Sequence, residues 1–298
     1  MAKLSSTKPS GTQRVLVYGP PKVGKTQLVG ALAEQFNLLW FDLENGHDTL
    51  YKFPHEWQER IELISIPDSR STPMAAETML KVIKGGEHSI CEQHGKVFCM
   101  ECMKHGRATT SVRLDSSLNE NTIVVVDSLT QLSTSFIAHM TKDREDLYKM
   151  QTDDWGNLAK LVEIFLSHVQ AAKFNIICIS HETETELEDG KTRLVPVSGS
   201  RNSSRNTAKY FDHVVYCQVE NGSHKFGSST LYRNGVVTGS RTGASIEDMV
   251  TPSLLDIMKG KVATQISPTP GQIAAGSLSA LANSLSAKVN PLNVLKTS

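Results

Sequence analysis

The chain has 298 residues, 39% of them hydrophobic, and its formal net charge at pH 7 is zero. This length allows one large domain or two small ones, and the apolar content is enough for a sizeable core. The balanced charge excludes a global basic field for nucleic acid, so any nucleic-acid surface must be a local patch.

The sequence also argues against membrane insertion and secretion. It has no run of about eighteen apolar residues, and its first residues lack the apolar centre of a secretory signal. The five cysteines suit a reducing compartment, where disulfides are not expected. We therefore expect a cytoplasmic protein without a membrane partner.

The predicted elements begin after a polar segment, residues 1–12, which we expect to be flexible. An apolar β-rich run at 14–18 predicts the first strand, and a helical pattern follows it closely. Between them the sequence fits G-x-x-x-x-G-K-[ST], the phosphate-binding loop, in the strand–loop–helix order that this motif requires. The residues predicted to contact a nucleotide are Gly19, Pro20, Pro21, Lys22, Val23, Gly24, Lys25, Thr26 and Gln27.

The composition of this loop suits ATP and Mg²⁺. Its glycines let backbone amides point at phosphate oxygens, and the start of the helix adds the positive end of its dipole. Lys25 would reach the β- and γ-phosphates, and the Thr26 hydroxyl would bind Mg²⁺. The alternative is a chance Gly/Lys loop in another kind of α/β protein.

The second predicted strand, 38–41, runs into the carboxylates Asp42 and Glu44. Hydrolysis of ATP needs a group that orients or deprotonates the attacking water, and a carboxylate can do this. Glu44 is the candidate and Asp42 its competitor. A solvated strand end without a catalytic role is the alternative.

A third strand at 61–66 and a helix at 73–84 lead into a Cys/His-rich insertion, residues 87–107. Four soft ligands follow the spacing C-x2-H-x4-C-x2-C, and they are Cys91, His94, Cys99 and Cys102. Zn²⁺ takes four such ligands tetrahedrally, which predicts a structural zinc knuckle. His105 is an alternative ligand, and reduced cysteines without metal are the alternative to zinc.

The fourth predicted strand, 122–126, consists of β-type residues and runs directly into Asp127. This is a Walker B pattern, because a carboxylate at the carboxyl end of a parallel strand lies beside the phosphate loop. There Asp127 can hold Mg²⁺ through water. A helix follows, and a polar stretch at 141–154 separates it from another helix.

The fifth predicted strand, 175–179, ends at Ser180 and His181. A polar side chain at this edge can touch the γ-phosphate and relay the nucleotide state to the next loop, although a capping histidine without that role is equally compatible. A long polar loop is predicted over 182–206. Basic residues in and just after this loop are predicted to contact DNA phosphates: Arg193, Arg201, Arg205 and Lys209. The alternative is that the loop is a plain solvated connector.

Further strands are predicted at 213–219, 226–232 and 236–241. The alternation of strands and helices predicts an α/β core over 13–260, with a mostly parallel sheet and helices on both faces. The tail, 261–298, has a different composition and is expected to be flexible, with a short helix at 274–285.

Together these motifs resemble RecA-type ATPases. More narrowly, the chain is similar to phage RecA-like nucleotide-binding proteins that act in single-strand annealing and recombination. The match spans about 13–243, and its more specific segments are Phe41-Asp42-Leu43-Glu44 with Asp48, 206–211 and 241–243. The resemblance makes Glu44 the catalytic glutamate and His181 the γ-phosphate sensor. It makes 141–154 and 182–206 the DNA-binding loops, and it implies that Arg241 reaches a neighbour's nucleotide.

The resemblance implies an ATP-dependent protein of DNA recombination and repair that binds single-stranded DNA. It also implies a homo-oligomer, either a ring or a filament, located in the host cytoplasm if a phage encodes the chain. The tail is a candidate contact for a single-strand-binding protein. One departure is the acidity of 141–154, which favours annealing over full strand exchange.

Two other function classes stay open from the residues. A P-loop kinase would need arginines that close over an acceptor, and Arg193 to Arg205 could supply them. A nucleotide-switched adaptor would bind ATP tightly with negligible hydrolysis. A motor helicase is disfavoured, since no second core is recognisable.

Overall fold

The computed structural model describes residues 11–186, 190–227, 235–241 and 253–259. Two units make up the chain, Met1–Val262 and Ala263–Ser298, and all described residues belong to the first. The predicted flexible start, apart from its last two residues, and the predicted tail with its helix at 274–285 lie outside the described residues.

Strands and helices alternate through most of this unit. The strands are β1 Arg14–Gly19, β2 Asn37–Asp42, β3 Ile61–Ser65, β4 Glu87–Cys91, β5 Thr109–Arg113, β6 Thr122–Asp127, β7 Asn175–Glu186, β8 Thr192–Pro196, β9 His213–Glu220, β10 Ser223–Gly227 and β11 Gly239–Ser240. The α-helices are α1 Lys25–Gly30, α2 His55–Gln58, α3 Met74–Val82, α4 Met100–Lys104, α5 Leu129–Thr141, α6 Thr152–Ala171, α7 Arg201–Asn206 and α8 Leu255–Met258. Short 3₁₀ segments are Ala31–Glu34, His47–Lys52 and Thr207–Tyr210.

Nine of the described strands form one sheet, in which β10, β9, β1, β7, β6, β2 and β3 are successive neighbours. The six strands from β9 to β3 are parallel, while β10 and β11 pair with β9, and β8 with β7, in antiparallel fashion. The strand of the phosphate loop, β1, is thus separated from the Asp127 strand, β6, by β7. This arrangement confirms the predicted α/β class with a mostly parallel sheet.

Helices cover both faces of the sheet, and alternate side chains of one strand pack against the helices on opposite faces. Val15 and Val17 of β1 pack in the cluster that contains α1 and α8, whereas Leu16 and Tyr18 pack in the cluster with α3, α5 and α6. Central parallel strands are buried on both faces, which explains the continuous apolar run of β6. The core therefore fixes the carboxyl ends of these strands at one common edge.

The predicted loop at 182–206 is wrong. β7 continues as a strand to Glu186 and pairs with β8, from Glu182 opposite Pro196 to Glu186 opposite Thr192, and α7 follows. The misreading has a physical cause, because the apolar run of β7 ends at Ile179, where the strand leaves the core. Its polar continuation pairs with β8 and carries no apolar run that would mark it as a strand in the sequence.

Two late strands also differ from expectation. β10 begins at Ser223 and runs to Gly227, while 228–232 of the predicted strand lie outside the described residues. Of the predicted strand at 236–241, Gly239–Ser240 is a strand, and Val236 forms an isolated bridge to Leu194.

The Cys/His-rich insertion is built on a separate two-stranded sheet of β4 and β5. This hairpin carries the segment on to Arg113, beyond the 87–107 read from the sequence. Of the helices in the described part of the chain, none combines the length and apolar character needed to cross a membrane.

Candidate active site

The phosphate loop connects the end of β1 to the start of α1, as its motif requires. Gly19 lies where β9 passes so closely that a Cβ would come within 2.1 Å of the Cys217 carbonyl oxygen. Gly24, just before α1, has a left-handed φ of +87°, which favours glycine. The remaining predicted contacts of the loop lie between or just beyond these glycines, and they are Pro20, Pro21, Lys22, Val23 and Gln27.

Lys25 is buried at the base of the loop. Its Nζ donates to the carbonyl oxygens of Gly19, at 3.0 Å, and Pro20, at 2.6 Å, and lies 3.4 Å from His181 Nδ1. Burial lowers the pKa of Lys25, while the nearby carboxylates, Glu44 among them, act in the opposite direction. A cation in this position faces the negative groups at the strand ends.

Thr26 and Asp127 lie side by side, with the Thr26 hydroxyl donating to Asp127 Oδ2 at 3.1 Å. Burial raises the pKa of Asp127 to about 7, and the charge of Glu44 adds to the shift. Hard oxygen ligands of this kind suit Mg²⁺, whose charge would relieve the repulsion between neighbouring carboxylates. The residues therefore fit the metal expected from the sequence.

Glu44 follows β2 and bridges to two other strands. Its Oε1 accepts a hydrogen bond from the Ser128 hydroxyl, and its Oε2 lies 3.6 Å from His181 Nε2. Burial alone would raise the pKa of Glu44, but hydrogen bonds from His181 and Ser128 hold it below its ordinary value. The side chain is thus an oriented carboxylate able to accept a proton.

Asp42, the competitor for the catalytic role, is fully buried and already engaged. Its Oδ1 accepts from the backbone amides of Glu44, at 3.2 Å, and Gly46, at 3.1 Å, and its Oδ2 lies 2.5 Å from His47 Nδ1. These bonds fix the turn after β2 that aims Glu44. This favours Glu44 over Asp42 as the group that meets water.

The backbone of His181 is hydrogen-bonded to Thr130 and Val197, which the sequence did not single out. Its backbone N–H donates to Thr130 Oγ1 at 2.8 Å, and its carbonyl accepts from Val197 N at 2.8 Å. Ser180 Oγ also donates to the Val197 carbonyl at 2.8 Å. Where β7 passes the site, it is therefore tied to the chain that leads from β8 into α7.

The contact of Ser128 with the site is also not predicted from the sequence. It accepts from Gln131 N at 3.2 Å as the N-cap of α5, and it donates to Glu44. A serine directly after the Walker B aspartate and before a helix is a recognisable N-cap signal. That signal predicts the cap but not the second bond to the glutamate.

Arg241 is not brought to this site. Its guanidinium donates to the Lys209 carbonyl at 2.6 Å and lies 3.8 Å from Asp212 Oδ1. Asp212 immediately precedes β9 and bonds Arg14 at the start of β1. Arg241 therefore lies at the amino ends of the parallel strands, opposite the phosphate loop.

The four basic residues predicted to contact DNA have different surroundings. Arg193 lies on β8 and is partly buried, while Arg201, the first residue of α7, is exposed. Arg205 Nε donates to Thr185 Oγ1 at 2.7 Å and a further N–H to the Glu186 carbonyl, so it braces β7. Lys209 lies 4.9 Å from the centre of the Tyr210 ring.

Trp155 lies beside Arg201, and the sequence analysis did not select it. The two side chains line one open cavity together with Gly156, Ala159, Ser200 and Asn202. Trp155 is 44% exposed in the first turn of α6. An exposed aromatic ring beside an arginine and small polar groups is an arrangement suited to a nucleobase and a phosphate.

The acidic stretch at 141–154 has a local structural explanation at its end. Asp154 accepts from the Gln151 backbone N–H at 2.8 Å, completing a capping box for α6, and from the Tyr148 hydroxyl at 2.6 Å. Arg70 donates to the backbone carbonyls of Glu145 and Asp146. Part of this acidity therefore organises the chain and is not aimed at a ligand.

The predicted zinc ligands come together in the insertion. The ligand atoms of Cys91, His94, Cys99 and Cys102 all lie within 4.8 Å of one another. His105, the alternative ligand, ends α4 and is outside this group. Cys178 and Cys217 are buried in the main core.

Comparison with known proteins gives a family and two similar structures. A family model described as an AAA domain matches residues 12–242. An ATPase from the type III secretion system of pathogenic bacteria is 14% identical over 69% of this chain, with a TM-score of 0.38, and this chain covers 51%, about half, of its length. A KaiC-like protein from the archaeon Pyrococcus horikoshii OT3 is 12% identical over 75% of this chain and 79% of its own, with a TM-score of 0.35. No curated protein matches the chain.

Proposed function

The chain belongs to the AAA domain family and carries a P-loop ATPase domain. We propose that it hydrolyses ATP at the site formed by Lys25, Glu44 and His181, and that it couples this hydrolysis to the binding of single-stranded DNA. The observation that carries the proposal is the convergence of Lys25, Glu44 and His181 at one edge of the sheet. A cation for phosphate, a carboxylate for water and a histidine between them are the parts that hydrolysis requires.

In this proposal the loop amides and Lys25 bind the phosphates of ATP, and Thr26 with Asp127 holds Mg²⁺. The metal, when bound, neutralises charge on the phosphates. Glu44 accepts a proton from water as the water oxygen bonds to the γ-phosphorus. The bond from that phosphorus to the β-phosphate oxygen breaks, which gives ADP and phosphate.

Support for coupling comes from the connection behind His181. Val197, whose N–H donates to the His181 carbonyl and whose carbonyl accepts from the Ser180 hydroxyl, lies four residues before the exposed Arg201. A shift of His181 with the γ-phosphate would move this segment and the surface formed by Trp155 and Arg201. In the proposed complex Trp155 stacks on a base and Arg201 pairs with a phosphate.

The biological role that we propose is annealing or recombination of single strands, as in the phage proteins that the sequence resembles. It includes a homo-oligomer in which Arg241 of one copy approaches the nucleotide of the next, since this residue lies away from its own phosphate loop. The tail would contact a single-strand-binding protein, and the location would be cytoplasmic.

The test is the ATPase rate of the full chain with and without a single-stranded oligonucleotide, alongside Lys25→Ala. We expect DNA to raise wild-type turnover and Lys25→Ala to abolish it, together with retention on DNA that weakens as salt rises. An unchanged rate and no salt-sensitive retention would refute the coupling. Turnover that depends on added nucleoside monophosphate would instead identify a kinase. Tight ATP binding without turnover would identify an adaptor.

A further inference from the structure

Ile90 and Val97 of the insertion pack into the main core, but the segment around the cysteines buries its thiols and exposes three large apolar side chains. All three cysteines of 91–102 are at most 7% exposed, whereas Phe98, Met100 and Met103 are each more than half exposed. In a segment folded by the hydrophobic effect the apolar side chains are the ones that turn inward. The reversed arrangement indicates that the centre of this segment is held by something bound between the thiols.

The spacing of the ligand atoms matches one small ion. With Zn–S near 2.3 Å and Zn–N near 2.0–2.1 Å, a tetrahedral site places nitrogen and sulfur about 3.6 Å apart. His94 Nδ1 lies 3.5 Å from Cys99 Sγ and 3.3 Å from Cys102 Sγ. The fourth ligand atom, from Cys91, lies within 4.8 Å of each of the others. The four groups are thus close enough together to share one ion.

The turn that carries the first two ligands ends at Gly95, which is anchored to the body of the domain. Gly95 N–H donates to the Cys91 carbonyl at 2.9 Å, and Gly95 has a left-handed φ of +62°. A Cβ at Gly95 would lie 2.8 Å from Ile66 Cα, and the Gly95 carbonyl accepts from the Thr78 hydroxyl at 2.6 Å. The tight turn therefore presses the ligand group against the body of the domain.

We propose that Cys91, His94, Cys99 and Cys102 bind one Zn²⁺ as a closed structural site. Three thiolates and one imidazole complete a tetrahedral shell and leave no position for water or substrate, which separates this site from catalysis. The metal takes the place of an apolar centre for the insertion and fixes it where Gly95 meets α3 and the end of β3. The proposal is independent of the ATPase reaction.

Metal analysis of the full chain, purified under reducing conditions without added chelator, tests the site. We expect about one zinc per chain, falling below about a fifth of that in His94→Ala and Cys102→Ser. As a matched control, His105→Ala should keep its zinc, because His105 lies outside the group. Lys25→Ala should also keep its zinc. The zinc content therefore tests the metal site even if the proposed ATPase activity is absent.

Cobalt substitution of the wild-type chain avoids dependence on variants that fail to fold. Co²⁺ should give the thiolate charge-transfer bands and the visible bands of a tetrahedral ion, with three cysteines protected from thiol reagents. Iron in place of zinc would overturn the assignment. So would a chain without metal in which Co²⁺ gives no tetrahedral spectrum, or a disulfide among the three cysteines.

Discussion

Glu44 Oε2 and His181 Nε2 lie 3.6 Å apart, although the strands that carry them, β2 and β7, are separated in the sheet by β6. The contact spans the end of β6, where Asp127 stands, and His181 continues on its other ring nitrogen to Lys25. One imidazole therefore links the proposed base to the phosphate-binding lysine. Through His181, the charge of a phosphate bound at Lys25 can therefore affect the proton affinity of Glu44.

Glu44→Gln should lower ATP turnover by about two to four orders of magnitude while nucleotide binding persists, because an amide cannot accept the proton of water. Turnover and nucleotide affinity, measured on the same preparation, would separate the two effects. Glu62→Gln is the matched control, since this exposed residue lies on the neighbouring strand, β3. Turnover near the wild-type level in Glu44→Gln would remove Glu44 from the chemistry.

His181→Ala should shift the acid limb of the pH–rate profile to higher pH. Burial raises the pKa of Glu44, and the hydrogen bonds from His181 and Ser128 overcome that effect. Without the imidazole the glutamate pKa rises, so more of the enzyme is inactive on the acid side. The profile of kcat/KM between about pH 5 and pH 8 reports the shift.

The control for this profile is His55→Ala, an exposed histidine on α2, which should leave the limb in place. A lower rate for His181→Ala with an unmoved limb would mean that His181 acts on the phosphate side alone.

Much of this site follows from sequence because its rules are local or topological. The phosphate loop is a contiguous motif, and its glycines are demanded by backbone geometry within the loop and beside β9. Glu44, Asp127 and His181 could be expected at one edge because parallel strands present their carboxyl ends together. Their roles stay predictions, since the geometry shows proximity and not turnover.

Other features depend on contacts that no local pattern encodes. Ser128 and Thr130 reach Glu44 and His181 only because the first turn of α5 packs beside the ends of β2 and β7. In the sequence Asp42 looks like a free carboxylate, because its bonds to the amides of the following turn are not visible there. The segment 182–206 reads as a loop because β7 continues there through polar residues, and its pairing with β8 is a contact that the sequence does not show.

That segment yields a contrast between two arginines of α7. Arg201→Ala should weaken binding to single-stranded DNA about tenfold and reduce its salt dependence, because Arg201 is exposed beside Trp155. Arg205→Ala should mainly lower thermal stability, since Arg205 bonds Thr185 and Glu186. Binding titrations at several salt concentrations and melting curves would distinguish the two.

Trp155→Ala extends this test, with an expected loss of about 1–3 kcal/mol of DNA affinity from one stacked base. If Arg201→Ala and Trp155→Ala both bind DNA as wild type does, the proposed DNA surface is in the wrong place, whatever the ATPase rate.

Asp127 combines a functional position with an unfavourable environment. It is 3% exposed, and burial followed by the charge of Glu44 raises its pKa to about 7. A folded-state pKa above the unfolded value means that the neutral carboxyl stabilises the fold at low pH. This contribution is lost as the pH rises through about 7. Without Mg²⁺ and nucleotide, the ionised carboxylate is therefore a cost to folding above neutrality.

Asp127→Asn should accordingly melt at a higher temperature than the wild type in EDTA, with an advantage that grows from about pH 5 to pH 8. Thermal unfolding across this range measures it, and the variant should lose ATPase activity although it is more stable. Asp115→Asn is the control of opposite sign: hydrogen bonds from Ser117 lower the pKa of Asp115, so this variant should melt below the wild type by an amount that stays constant between about pH 5 and pH 8. An advantage for Asp127→Asn that is constant with pH would mean that the carboxylate is already ionised at pH 5.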